Sequence, residues 1–381
     1  MTNKKLNKIY VIIPLIIILI AIIGGIIIQT RDKEIYIGSI MPLSGDVAAY
    51  GIPLQKAVEL AETEINQSGG INNKRLNVIF EDSMCSGKDA LNATKKLIEI
   101  DDVKVIIGGI CSSETLAAAP YTEEKKVILF SPGSTSPDVT NAGDYVFRNA
   151  PSDAFGGKII AETAIKNNHK KIAIIYQNND YGEALYNVFK NRYNQLGGNI
   201  IATEKYTLNE KDFTTYTTKL IAKNPDAIYI IPETGETLGL ILKNLRTYNY
   251  NKTIYSNDMV TSQDVIKTYK KEAEGVIFTQ PVYNENNPKT KEFITKMKST
   301  YGEEIFSTAP SFYLALAYDA TYLLKDAIYK CKEDTSCIKK ELYAVKDWQG
   351  AYGKLTIDNK GDPIIDFSLK EIRNGEVVIL N

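Results

Sequence analysis

Val105-Ile106-Ile107-Gly108-Gly109-Ile110-Cys111-Ser112-Ser113, a helical pattern over Glu114–Lys125, Val127-Ile128-Leu129-Phe130, then Ser131-Pro132-Gly133-Ser134-Thr135-Ser136-Pro137: this stretch decides the fold. Short unbroken apolar runs closed by Gly or Ser predict buried parallel strands. Parallel neighbours need a crossover, and the segment between the runs suits a helix. Both hydroxyl-rich turns then fall at the carboxyl ends of adjacent strands, the edge where open α/β sheets bind ligands. Ser112 at a helix start adds free N–H groups and a positive dipole end, which suit a carboxylate. Ordinary N-caps and turns give the same local pattern.

The alternation continues on either side. Ile35–Ile40 predicts a strand, Tyr50–Asn66 a helix with Leu54, Val58, Ala61 and Ile65 on one face, Leu76–Phe80 a strand, and Asp89–Ile100 a helix. After Pro151-Ser152-Asp153 the pattern restarts. Helices are expected at Ala154–Asn167, from Tyr181 to Gln195, and near 214–222, 237–247 and 262–269. Strands are expected at 172–176, 200–206, 227–231, 253–256 and 275–279. Pro310–Tyr329 reads as a long apolar helix whose flanks are too polar to span a membrane. The tail reads as hairpin strands at 353–358, 367–372 and 377–380, around the turn Asn359-Lys360-Gly361-Asp362. Two runs of alternating elements predict two α/β lobes with helices on both sheet faces.

The 381 residues leave room for two such lobes. Net charge is −1 with signs interspersed, so no nucleic-acid face is read. The single histidine, His169, lies in a polar run, and neither catalytic triads nor multi-His metal sites are expected. No cofactor motif or phosphate loop is present, which argues against an enzyme. Of the four cysteines, Cys331 and Cys337 are close enough to close a small loop, leaving Cys85 for Cys111. These pairs presume an oxidising compartment; in a cytosolic chain all would be thiols.

The N-terminus speaks to that. Lys4, Lys5 and Lys8 precede Ile9–Ile28, an uncharged apolar run. About 20 residues at about 1.5 Å each match a bilayer core of about 30 Å. No A-x-A-like cleavage site lies between Gly24 and Lys33, and no cysteine follows the run for lipid attachment. We expect residues 1–33 to be a cytoplasmic stub and uncleaved transmembrane anchor, with a cleaved signal peptide as the alternative. Either way the remainder faces an extracytoplasmic compartment.

A set of ordered motifs carries a resemblance: Pro42-Leu43-Ser44-Gly45…Tyr50-Gly51, Gly69-Gly70-Ile71, Ile107-Gly108…Cys111-Ser112-Ser113, Ser131-Pro132…Thr135-Ser136-Pro137, Phe147-Arg148, Asp180-Tyr181-Gly182, Asp212-Phe213, Asn224-Pro225-Asp226-Ala227 and Gly353-Lys354-Leu355. From about Ile35 onward the chain resembles the leucine/isoleucine/valine-binding proteins, the receptors of branched-chain amino acid ABC transporters, with the type I periplasmic-binding-protein fold. The resemblance implies two hinged Rossmann-like lobes that close on a ligand. Lobe 1 would span residues 34–150 plus 281–346, and lobe 2 residues 151–280 plus 347–381. The chain would be a monomer working with the permease subunits of an ABC importer.

The resemblance also implies residue roles. Ser112 and nearby backbone N–H groups would receive the α-carboxylate. The Gly133 carbonyl, the Thr135 hydroxyl and Asp258 would receive the α-ammonium. Tyr181 and Tyr50 would close over the ligand, Ile110 and Cys111 would line the site, and Ser134 and Asp153 would belong to it. The Cys85–Cys111 bridge matches the family pattern, whereas Cys331–Cys337 rests on spacing alone. From the residues alone, Asp258 also reads as a strand-end acid, Tyr181 and Tyr50 as packing residues, and Asp153 as a hinge cap. One departure stands out at Ile231-Pro232-Glu233-Thr234-Gly235-Glu236. The loop is slightly longer than the family pattern, and Glu233 or Thr234 stands where an aromatic lid is usual, so a more polar pocket is expected. The alternative to transport is a membrane-tethered sensor of an amino acid or amide.

Overall fold

The structure is a computed structural model and describes residues 33–380. The expected anchor lies outside the described residues; within them, no helix is long and apolar enough to cross a membrane.

The first sheet grows from β1 (Glu34–Met41), helix α1 (Ala48–Gln67), β2 (Arg75–Asp82), α2 (Gly87–Glu99), β3 (Val105–Ile107), α3 (Ser112–Lys125), β4 (Ile128–Ser131) and β5 (Val146–Arg148). Its strand order is β2-β1-β3-β4-β5, with every pair parallel. Period-2 alternation explains why the apolar runs are unbroken. Val105, Ile107, Ile128 and Phe130 join the core on one face, while Ile106 and Leu129 join the core on the other. The deciding stretch therefore forms as expected, except that α3 begins at Ser112 rather than Glu114.

The second sheet follows from α4 (Asp153–Lys166), β6 (Lys171–Gln177), α5 (Asp180–Gln195), β7 (Asn199–Tyr206), α6 (Thr214–Ala222), β8 (Ala227–Ile231), α7 (Gly235–Thr247), β9 (Thr253–Ser256) and β10 (Val276–Pro281). The same rule holds: Ile172, Ile174 and Tyr176 of β6 face one core, Ala173 and Ile175 the other. The helix expected at 262–269 is instead two short turns, Asp258–Thr261 and Asp264–Thr268.

Then come α8 (Pro288–Thr308), α9 (Ser311–Cys331), α10 (Thr335–Tyr343), the small ribbon β11 (Trp348–Gln349) with β12 (Lys354–Leu355), and the hairpin β13 (Phe367–Arg373) and β14 (Glu376–Ile379). The hairpin pairs antiparallel to β10, so the second sheet runs β14-β13-β10-β9-β8-β6-β7 and is mixed rather than wholly parallel. Four elements were not anticipated: β5, α8, α10 and β11.

Residues 348–363 are bonded to α9 and to the end of β5. Both oxygens of buried Asp319, in α9, accept backbone N–H groups of this segment, Ala351 at 2.7 Å and Tyr352 at 2.8 Å. Asp362 pairs with Arg148 at the end of β5, Nε to Oδ1 2.7 Å. These bonds hold the segment against the first sheet's side. The chain reaches the second sheet only after Pro363, where Val282 N–H donates to Asp366 O at 2.8 Å.

Both expected disulfides are present, Cys85–Cys111 and Cys331–Cys337. The first joins the β2–α2 turn to the residue before α3, so it holds the deciding stretch to its neighbour.

Candidate functional site

Between the two sheets lies a cavity of about 60 Å³. Its lining comes mostly from the turns and helix starts that follow strands. Val47, Tyr50 and Leu54 come from the segment after β1, Ile110 and Cys111 after β3, Gly133 and Thr135 after β4. Across from them are Tyr181 after β6, Pro232 and Glu233 after β8, and Asn257, Asp258 and Met259 after β9. Tyr313, in the first turn of α9, completes it. Parallel strands end together on one edge, which is why turns distant in sequence meet here. The volume is far below the ~300 Å³ lower range of drug-sized pockets.

Most of the expected site residues lie on this cavity: Tyr50, Ile110, Cys111, Gly133, Thr135, Tyr181 and Asp258. Gly133 must be small, because a Cβ there would stand 2.9 Å from Ile110 Cα. Ser112 and Ser134 do not line it. The Ser112 hydroxyl accepts the Ser136 N–H at 3.1 Å. Ser134 is fully buried, 3.0 Å from Gly109 O, 3.1 Å from Cys111 O and 2.7 Å from Thr115 Oγ1. It fastens the two hydroxyl-rich turns together, and its oxygen is occupied behind the cavity wall.

Asp153 also sits behind the wall, and its carboxylate orients what lies in front. Its Oδ2 accepts the Thr135 hydroxyl at 2.9 Å and the Tyr181 hydroxyl at 3.1 Å. With their hydrogens directed at Asp153, both oxygens keep lone pairs for another donor. Tyr181 already uses one on Asn257 Nδ2, 2.8 Å away. The same Asn257 amide donates to Pro232 O at 3.0 Å, tying the β8 and β9 turns together. Tyr50 reaches across: its hydroxyl accepts the Gly235 N–H, at the start of α7, at 2.9 Å.

The electrostatics are one-sided. Burial pushes the Asp153 and Asp258 carboxyls upward from the usual carboxylate range, and the charge of Asp153 adds to the push on Asp258. Burial likewise raises Glu114 and Glu233, each to about 7. Glu114 stands behind the Cys85–Cys111 bridge, accepting from Ser83 Oγ at 2.6 Å and from Ile110 and Cys111 N–H groups. The nearby guanidinium, Arg148, is already engaged by Asp362 and by the Ser134 and Ser136 carbonyls. Asp258 is 4% exposed; the Tyr313 hydroxyl bears on its carboxyl and offsets part of the upward push, while among the described residues its Oδ2 has no hydrogen-bond partner. Such an atom is costly unless a donor or cation completes it.

Several lining residues were not read from the sequence: Val47, Leu54, Pro232, Asn257, Met259 and Tyr313. Asn257 was discernible as an N-cap residue beside Asp258. Tyr313 was hidden, because a tyrosine in an apolar helix reads as core.

The family described as "Periplasmic binding protein" matches residues 34–376. Among curated proteins, Leu/Ile/Val-binding protein homolog 3 of Brucella melitensis is 26% identical over 333 residues, covering 86% of this chain and 88% of that one. The leucine-, isoleucine-, valine-, threonine-, and alanine-binding protein of Pseudomonas aeruginosa is 27% identical over 337 residues, covering 87% of each. Among solved structures, the branched-chain amino acid transporter substrate-binding protein of Streptococcus pneumoniae in complex with isoleucine superposes with a TM-score of 0.79 at 29% identity. That match covers 91% of this chain and 99% of the other.

Proposed function

The chain belongs to the periplasmic binding protein family, and from that premise we propose that it is an extracytoplasmic receptor that captures an amino acid and delivers it to an ABC importer. The observation that carries this reading is the buried, unpartnered Oδ2 of Asp258 in the cavity wall. An α-ammonium would supply its missing partner and its counter-charge. Thr135 and Tyr181, their hydrogens turned toward Asp153, would offer the ammonium lone pairs, and the Gly133 carbonyl another. The α-carboxylate would meet backbone N–H groups of the first turn of α3, beside Cys111, where the helix dipole favours an anion; the Ser112 hydroxyl, turned to the Ser136 N–H, would position that turn. Asp153 and Ser134 are positioning residues in this scheme. The relatives named for leucine, isoleucine and valine support an amino-acid ligand; their names do not fix its side chain.

We assign residues 34–150 and 282–363 to lobe 1 and 151–281 and 364–380 to lobe 2. The third crossing is drawn at Pro363–Asp366, not at 346–352, because Asp319 and Arg148 bind the intervening segment. The N-terminal apolar run would tether the monomeric receptor to the membrane beside its permease. Titrating the purified full chain with the common amino acids by calorimetry tests the reading, and an absence of heat for every one of them removes it.

Tyr50→Phe is expected to lower amino-acid affinity about three- to tenfold, because the Gly235 N–H loses its acceptor from the opposite lobe; one hydrogen bond is worth about 1 kcal/mol. The same titration checks it, and an unchanged affinity would mean that this bond does not support closure.

A further inference from the structure

One cavity wall is chemically out of place. Val47, Leu54, Ile110, Pro232 and Met259 make most of the lining beyond the Asp258 end apolar, yet Glu233 is set among them. Its carboxylate is held in one orientation: Oε2 accepts from Gln177 Nε2 at 2.9 Å and from Asn179 Nδ2. The other oxygen, Oε1, lies 3.7 Å from Cys85 Sγ. That sulfur is bonded to Cys111 and carries no hydrogen to donate. Glu114 stands on the far side of the bridge, so a second acid, not a base, backs this wall.

An aliphatic side chain seated here would strip water from Oε1 and return nothing. A side chain bearing N–H or O–H hydrogens would complete it. Sites built to hydrogen-bond a ligand group discriminate strongly against isosteres lacking that group, because their own polar atom is left unpaired.

We propose that Glu233 is the specificity-determining residue of the cavity, selecting an amino acid whose short side chain donates a hydrogen bond to Oε1 over aliphatic amino acids of the same size. The inference rests on the amino-acid-receptor reading above. Two ligand forms share this chemistry, a neutral hydroxyl or amide donor and a cationic amine.

The test is calorimetry on the purified full chain with isosteric pairs: threonine against valine, and asparagine against leucine. 2,4-Diaminobutyrate serves as the cationic arm and alanine as a side-chain-free reference. The donor member of each pair, or diaminobutyrate, is expected to bind at least about tenfold more tightly than its aliphatic partner. The tighter of the two arms identifies the neutral or the cationic form. In Glu233→Leu the preference for the donor member should vanish or invert. Valine and leucine binding as tightly as threonine and asparagine in the unmodified chain would overturn the assignment and leave the receptor intact. Amino-acid binding absent altogether would overturn both. The comparison within the unmodified chain does not depend on how the variant folds.

Discussion

Replacing Asp258 with Asn is expected to lower amino-acid affinity by about 2–5 kcal/mol, thirtyfold or more, the cost of removing one member of a buried charge pair. The change is nearly isosteric, so it removes charge and little else. Carboxylates of the same shape that lack the amine should lose far less. Equal weakening of both ligand classes would show that Asp258 is not the ammonium's partner. The pH dependence should change with it. In the ligand-free site Asp258 is held well above the carboxylate range by burial and by Asp153, so it carries a proton through part of the neutral region. An incoming ammonium favours the ionised form, and binding therefore releases that proton. Affinity should accordingly rise as pH increases toward about 8 and level off above it. The Asn variant should lack the slope. Calorimetry in buffers of different ionisation enthalpy reads the proton release directly.

Arg148→Ala is expected to be the most destabilising single change near the site. The side chain is fully buried and spends its whole fork. Nε and Nη2 meet the two oxygens of Asp362 at 2.7 and 2.8 Å, and Nη1 meets the Ser134 and Ser136 carbonyls at 3.1 and 2.8 Å. Truncation strands a carboxylate and two carbonyls out of water, a cost of about 3–5 kcal/mol. Thermal melting should fall by roughly 5–10 °C. Arg148→Lys should recover little, since a single ammonium cannot reproduce the fork. Arg148→Met combined with Asp362→Leu should recover part of the loss, because it removes the stranded charge while leaving the carbonyls. A melting point within about 2 °C of the unmodified chain for Arg148→Ala would refute this account of the network.

Much of the fold was legible because it is written in local period. The runs at 105–107 and 128–131 bury both faces of a sheet and could hardly be anything but inner strands. Their small polar turns then had to share an edge, which brought Ile110, Cys111, Gly133 and Thr135 to one cavity. What escaped was either short or long-range. β5 is three residues, too brief for a pattern. α8 presents a thin inward face, Thr290, Phe293 and Met297, amid charged neighbours. The placement of residues 351–362 could not be read locally, because it is fixed by partners far away in sequence, Asp319 for 351–352 and Arg148 for Asp362. Ser134 shows a related difficulty: a hydroxyl in such a turn can bond within the turn, and nothing local distinguishes that from facing a ligand.

The way the last strands are recruited sets the order in which the molecule can be finished. β13 and β14 cover the edge of β10, and Asp362 completes the pairing of Arg148, made more than 200 residues earlier. Neither half can therefore reach its final form before residues 362–379 have been made. Until those residues emerge, the chain carries an open sheet edge and an unneutralised buried arginine, the state in which a chain is most exposed to misassociation. A chain that cannot complete itself early is also one that stays threadable, which suits a protein whose folding belongs on the far side of a membrane.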